Sequence, residues 1–311
     1  MPQPLKPPAL RTSDAIRILS LSSPVAEDRV RKGYAVLDQL GFKVKLDRES
    51  VFAKDGFFAG STAERIESLE TAIAEADTRA VFCTRGGYGS NYLLDCLNLD
   101  SASPKIVCGF SDITSLHSYL WQRRRWVTFY GPMLAAGLDH GANEPEGYDL
   151  DSFTHALTET NKGWSITLKG ESISEGLSEG TLLGGCLNLV EATIRTPWEL
   201  DTRGSILILE DRAMKPWQVD RALMHLRQAG KFRDVAGIVL GDFPESDPPH
   251  GTESVRDVAR RVLAPLGIPI VFGAPIGHTS RPMLTLPFGI QARLSADGEG
   301  TLEILEPACS L

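Results

Sequence analysis

Ala80-Val81-Phe82-Cys83-Thr84-Arg85-Gly86-Gly87-Tyr88-Gly89 is an apolar run that breaks, without any linker, into a glycine-rich turn. The run is short and bounded by glycine, which reads as a buried strand over 80–84. The glycines allow positive φ and let a ligand approach the backbone closely. A helix is predicted directly after the turn, over 90–97. Working outward, the same alternation recurs on both sides. Strands are predicted over 16–21, 42–46 and 105–110. Helices are predicted over 27–40 (ending at Gly41), 62–76 (with Thr62 as its cap and Glu64 and Glu67 in its first turns) and 112–122. Repeated β-α units of this kind call for a parallel sheet with helices on both faces.

Residues 137–180 differ, because Gly, Asn, Glu, Ser and Thr dominate and the periodicity fades. One short helix is predicted there, near 151–158. The expected organisation is an N-terminal domain over 1–150, a linker over 151–180 and a C-terminal domain over 181–311. Beyond the linker, strands over 205–209, 235–240 and 268–272 alternate with helices over 217–229 and 253–266. Short strands and turns follow over 284–305, so the second half reads as mixed α/β.

Composition narrows the classes. The 311 residues are 42% hydrophobic and 23% charged, an ordinary globular balance with material for a real core. The net charge of -8 speaks against nucleic acid as a partner, which calls for a basic face. The run Arg123-Arg124-Arg125 is better read as a helix C-terminus, where cations suit the dipole. Five cysteines without CxxC spacing suggest reduced thiols, with Cys83 and Cys108 inside strands. The proline-rich first residues lack the apolar core of a signal peptide, and no stretch has the length of a membrane span. A protein of the cytoplasm is expected.

In a parallel sheet, functional groups collect beyond the carboxyl ends of strands. Ser111 ends the run Ile106-Val107-Cys108-Gly109-Phe110 and precedes a helix, a position that suits a nucleophile beside outward-pointing amides. On this segment alone a helix cap is the stronger explanation, because only half of a G-x-S-x-G elbow is present. Glu210 follows Ile206-Leu207-Ile208-Leu209, and a buried carboxylate there must find a partner. That partner is a histidine or, equally well, Arg212 or Arg221. His278 lies in Gly273-Ala274-Pro275-Ile276-Gly277-His278, just after a core strand. It is a candidate general base, although a surface histidine is the commoner case. The turn at Arg85 and Gly86 is a weak phosphate-loop match, lacking the third glycine of G-x-G-x-x-G and the Walker lysine. It reads alternatively as an oxyanion or carboxylate pocket. No H-E-x-x-H or comparable ligand set is present, which argues against a zinc peptidase; neither metal nor cofactor is called for.

These segments together resemble the LD-carboxypeptidase family, the muramoyltetrapeptide carboxypeptidases. The matching pieces are Arg85-Gly86-Gly87-Tyr88-Gly89, Gly109-Phe110-Ser111-Asp112-Ile113-Thr114 and Gly131-Pro132-Met133, then Gly180-Thr181-Leu182-Leu183-Gly184-Gly185, Leu209-Glu210-Asp211 with Asp220-Arg221, and Gly273-Ala274-Pro275-Ile276-Gly277-His278. The resemblance implies a Rossmann-like α/β N-terminal domain and a smaller C-terminal mixed α/β, barrel-like domain, with the active site between them and a homodimer as the usual assembly. It implies Ser111 as nucleophile, His278 as base, Glu210 as the acid that orients it, and an oxyanion hole from the amides of Gly87 and Asp112. The implied reaction is release of the terminal D-alanine from cytoplasmic murein tetrapeptides or muropeptides. Arg85, with Gly86 beside it, is the candidate for holding the substrate's carboxylate. Two positions depart from the family: Cys186, where Asn is common, and Tyr130, where His is frequent.

Two other readings compete. A microcin-immunity type of peptidase would cleave peptidyl or aminoacyl nucleotides and stack a base on an aromatic residue, for which Trp198 and Trp217 are available. A non-catalytic Rossmann-like binding protein would use Ser111 only as a cap, and would have no need for a serine, an acid and a histidine together.

Overall fold

Five strands of the first half lie parallel in the computed structural model, which describes residues 3–249 and 253–311. They are β1 (Ala15–Leu19), β2 (Lys43–Lys45), β3 (Thr78–Cys83), β4 (Ile106–Gly109) and β5 (Thr128–Tyr130). Eight strands come next in the chain's second half, all but one in a second sheet: β6 (Trp164–Thr167), β7 (Glu171–Ser174), β8 (Gly176–Cys186), β9 (Ser205–Glu210), β10 (Gly237–Gly241), β11 (Ile270–Ala274), β12 (Leu286–Phe288) and β13 (Gln291–Ala296). The last strand is β14 (Thr301–Ile304).

The first sheet has the order β12-β5-β4-β3-β1-β2, so the chain crosses from one side of β1 to the other between β2 and β3. Loops leaving β1, β3, β4 and β5 therefore open at one edge, where α/β sheets form their crevices. The second sheet, β6-β14-β13-β8-β9-β10-β11-β7, is parallel from β8 to β11 and antiparallel elsewhere. It curls into a barrel-like shape. Its edge strands β6 and β7 follow one another in the chain, and the segment joining them bonds to the β13–β14 turn (Leu168 N–H to Gly300 O, 2.9 Å; Gly170 N–H to Glu299 O, 3.0 Å).

Strand β9 shows how the core is divided. All six of its residues are buried, and successive side chains point to opposite faces. Ile206 and Ile208 join the core shared with the first sheet, while Leu207 and Leu209 join a second core under helices Pro216–Gln228 and Val255–Leu263. Each such side chain contributes about 1.5–3 kcal/mol of burial, which is why a polar-free run precedes Glu210.

Several expectations need correction. The linker over 151–180 is absent: helix Leu150–Thr158 is followed by β6, β7 and the start of β8. These strands are short, and β6 buries only alternate residues (Trp164 and Ile166), so serine and threonine on the outer face hid the pattern. The division by sequence is also crossed, because β12 pairs antiparallel with β5 in the first sheet. Helix 62–76 is Thr62–Ala74, capped by Ser61 and not Thr62; Ser61 and Glu64 satisfy each other's backbone N–H groups in a capping box. The helix over 90–97 is one turn, Asn91–Leu94. Among the described residues the five cysteines are free, with Cys96 exposed and the others buried. No described helix is long and apolar enough to cross a membrane.

Candidate active site

Ser111 begins a 3-10 turn, Ser111–Ile113, that passes into helix Thr114–Arg124. Its φ is 60°, in the left-handed region that a side chain adopts at a cost of about 1–3 kcal/mol. The cap explanation fails, since neither helical segment here has a side-chain cap bond. Instead the geometry is a sharp strand-to-helix turn that lifts the hydroxyl off the sheet. Gly86 faces it from the loop after β3: a Cβ there would lie 2.7 Å from Ser111 Cβ and 3.2 Å from the Asp112 nitrogen. Gly87 follows with φ 110°, which a glycine alone adopts readily.

Asp112 does more than complement a helix dipole. Its side chain is buried and accepts from Ser22 Oγ (2.6 Å) and the Ser90 N–H (2.8 Å), while Ser90 Oγ donates to its carbonyl (2.5 Å). Thus the loops after β1 and β3 are fastened to the turn carrying Ser111. Behind the turn, His117 bonds the Gly109 carbonyl through Nε2 at 2.8 Å. Burial pushes its pKa down to about 4. A neutral ring facing a carbonyl must carry its proton on Nε2.

Glu210, fully buried at the end of β9, accepts three hydrogen bonds. His278 gives two of them to Oε2, from its backbone N–H (2.9 Å) and ring Nδ1 (2.8 Å). The Tyr130 hydroxyl gives the third, to Oε1 at 2.5 Å. Burial works against both charges of the Glu210–His278 pair, but each partner's charge and the hydrogen bond between them outweigh it. The carboxyl is held below its ordinary value and the imidazole above its own. With Nδ1 engaged by an acceptor, Nε2 is left as the proton-accepting atom of neutral His278. The alternative partners of Glu210 are occupied elsewhere: Arg212 pairs with Glu245, and Arg221 lies 5.2 Å over the Trp217 ring.

Among the described residues no hydrogen bond joins Ser111 Oγ to His278. Their connection runs through Tyr130, whose hydroxyl also accepts from the Ser111 N–H at 3.3 Å, and through Phe110, whose ring centroid is 5.1 Å from that of His278. Nucleophile–base bonds of this kind often tighten only with substrate bound. A cavity of about 300 Å³ opens beside His278, lined among others by Phe110, Arg29, Arg212 and Gly277. A larger hollow of about 400 Å³ elsewhere, lined by Arg17, Asp47 and Glu64 among others, holds no histidine or cysteine.

Arg85 is exposed, and among the described residues its side chain makes one long hydrogen bond, to the Pro24 carbonyl (3.5 Å). Desolvation, then the positive charges of Arg29 and Arg212, lower its pKa. Arg29 and Arg212 have acid partners in Asp139 and Glu245, whereas Arg85 has none among the described residues. An unpaired guanidinium near two other cations favours an anion.

The structure thus brings Glu210, His278 and, through Tyr130, Ser111 into one network, with Gly86 and Asp112 against Ser111. Sequence reasoning missed the hydroxyl of Tyr130, seen only as a departure, and the buried lock at Asp112. The departure at Cys186 is inward-facing: its Sγ lies 3.2 Å from Asp211 Oδ2, and its N–H donates to Thr114 Oγ1 at 2.9 Å.

Comparison with known proteins adds independent findings. The family model for the LD-carboxypeptidase N-terminal domain matches residues 16–131, and that for the LD-carboxypeptidase C-terminal domain matches residues 179–294. The chain is 33% identical over 295 residues to a probable murein peptide carboxypeptidase of Bacillus subtilis (strain 168), covering 93% of this chain and 91% of that one. Among solved structures it is similar to the microcin C7 self-immunity protein MccF in complex with aspartyl sulfamoyl adenosine (TM-score 0.89, 27% identity, 99% of this chain and 100% of that chain). It is also similar to the muramoyltetrapeptide carboxypeptidase of Oxalobacter formigenes (TM-score 0.82, 27% identity, 96% of this chain and 100% of that chain).

Proposed function

Because the chain belongs to the LD-carboxypeptidase family, we propose that it is a serine carboxypeptidase releasing the terminal D-alanine of murein tetrapeptides in the cytoplasm, in peptidoglycan recycling. The observation that carries this reading is the buried Glu210–His278 pair, tied through one phenol to a serine held at φ 60°.

In this reading Ser111 Oγ attacks the carbonyl carbon of the scissile amide while His278 Nε2 takes its proton. Glu210 holds the ring in the required tautomer and stabilises the imidazolium. In this reading the oxygen that gains charge is received by the N–H groups of Gly87 and Asp112, backbone donors of the kind that stabilise a developing oxyanion. Collapse of the tetrahedral intermediate expels D-alanine, whose nitrogen takes the proton from His278. Water, deprotonated by the same histidine, then releases the shortened peptide from Ser111. Arg85 pairs with the substrate's terminal carboxylate. The assembly is read as a homodimer on family kinship.

The test is incubation with a murein tetrapeptide, following D-alanine release by mass spectrometry beside a Ser111→Ala control. Release by the wild type alone is the expected result. Equal release by both proteins removes Ser111 from the mechanism, and release by neither removes the murein substrate.

A second reading, hydrolysis of an aminoacyl or peptidyl nucleotide, has support in the likeness to MccF. It needs a free aromatic face for the base. Trp198 packs beside Tyr119, with ring centroids 6.2 Å apart, and Trp217, though exposed, already carries Arg221 on its face. The murein reading is preferred on the 33% identity to the probable murein peptide carboxypeptidase, against 27% to MccF.

A further inference from the structure

We infer that Tyr130 is a positioning residue whose hydroxyl, bonded at once to the Ser111 N–H and to Glu210 Oε1, holds nucleophile and orienting acid in one fixed geometry. The inference rests on the reading of Ser111, Glu210 and His278 as the working residues. Tyr130 is the last residue of β5 and is wholly buried. Its ring is clamped: stacked on Phe288 at 5.1 Å, with Phe110 and His117 edge-on at 6.3 and 5.9 Å. A ring held on three sides presents its hydroxyl at one place.

That place lies between two groups that have no other common hydrogen-bond partner among the described residues. The Ser111 N–H reaches the oxygen at 3.3 Å, and the oxygen's own proton goes to Glu210 at 2.5 Å. Burial first, and then the charge of Glu210, keep the phenol protonated far above its ordinary range, so it remains a donor at every working pH. With Oε1 occupied, the carboxylate cannot rotate away from His278, and Oε2 keeps both bonds to that residue. The phenol also draws off part of the carboxylate's charge. Without it, Glu210 would hold the imidazolium more tightly and the base would be slower to become neutral.

The charged groups acting on His278 are Glu210, Asp211 and Arg212; the phenol of Tyr130 and the thiol of Cys186 face Glu210. Among the described residues neither Asp211 nor Arg212 hydrogen-bonds Tyr130, whose hydroxyl meets Thr114 besides Ser111 and Glu210.

The experiment compares wild type with Tyr130→Phe, which keeps the ring and loses the hydroxyl. A fluorophosphonate reagent phosphonylates an activated serine, the serine oxygen bonding to phosphorus as fluoride leaves, and its rate on Ser111 is followed by mass spectrometry from pH 5 to pH 9. The reagent is no peptide, so the outcome is independent of the enzyme's substrate. The expected plateau rate is about tenfold lower, the size of a lost hydrogen bond to a charged group, and the midpoint of the profile moves to higher pH. In parallel, the proton NMR signal of the His278 Nδ1–H should move in the variant. A variant matching wild type in plateau, midpoint and proton signal overturns the inference. Absence of labelling at Ser111 in the wild type itself overturns the reading of the three residues, and this inference with it.

Discussion

Gly86 and Ser111 approach so closely that a methyl group on the glycine would lie 2.8 Å from the serine hydroxyl oxygen. The contact joins the loop after β3 to the turn after β4. Gly86→Ala must move one of the two. Its expected effect is a loss of at least about a hundredfold in Ser111 acylation, with a stability cost of about 1–3 kcal/mol. Acylation kinetics and urea unfolding measured together check this, and an unimpaired alanine variant would show that the loop yields freely.

The backbone at Ser111 offers a stability test that is separate from catalysis. Both Ser111→Ala and Ser111→Gly remove the hydroxyl, but only glycine is at ease at φ 60°. The glycine variant should be the more stable of the two by about 1 kcal/mol, and neither should be acylated. Chemical denaturation of the pair gives the answer; equal midpoints would mean that the turn is not strained.

For the Glu210–His278 pair the pH dependence has a definite sign. His278 is raised above 6.5 in the folded state, so its contribution is complete below 6.5 and is lost as pH rises through the raised value. Glu210 is lowered below 4.5, so its contribution is present above 4.5 and is lost as pH falls through the lowered value. The stability gap between wild type and His278→Asn should therefore be largest between pH 4.5 and 6.5 and shrink above it. Turnover, which needs neutral His278, should rise with pH through a midpoint above 6.5. Unfolding curves over that range decide the first point, and the pH profile of turnover the second.

Arg85 touches no acid among the described residues, so its loss should be felt by substrate and not by the fold. Arg85→Ala should raise KM for a murein tetrapeptide about tenfold or more, the value of a charge-assisted bond. Acylation of Ser111 by an uncharged reagent should hold steady. If KM stays put, the carboxylate is held elsewhere, with Arg29 or Arg212 the next to test.

The β-α alternation of the first half was legible because β3 and β4 each carry a buried apolar run and helix Thr62–Ala74 opens on a capping box. Strand-end positions drew attention to Ser111, Glu210 and His278 for the same reason: a polar group after a buried run must face something. What the sequence hid is non-local. Tyr130 closes an apolar strand, and only the arrival of β9 beside it shows what its hydroxyl meets. Asp112 reads as a helix-start acid until the loops after β1 and β3 fold over it. The strands between 164 and 186 were concealed because β6 turns serine and threonine outward, β7 is half-buried throughout, and β8 begins with exposed Gly176, Leu177 and Glu179.

His278 stands on a strap. The chain leaves the second sheet at β11, passes through the histidine, and enters the first sheet at β12, where Leu286 lies opposite Tyr130. The strap is stitched at both ends, so neither sheet can drift from the other without pulling on His278. During synthesis the serine's sheet is finished on its outer side only when residues 286–288 emerge. Until then β5 is an unguarded margin, open to pairing with other chains. The late strand both covers that margin and anchors the segment carrying His278, so a chain cut before residue 286 would bare the edge of β5 and leave His278 without its second anchor.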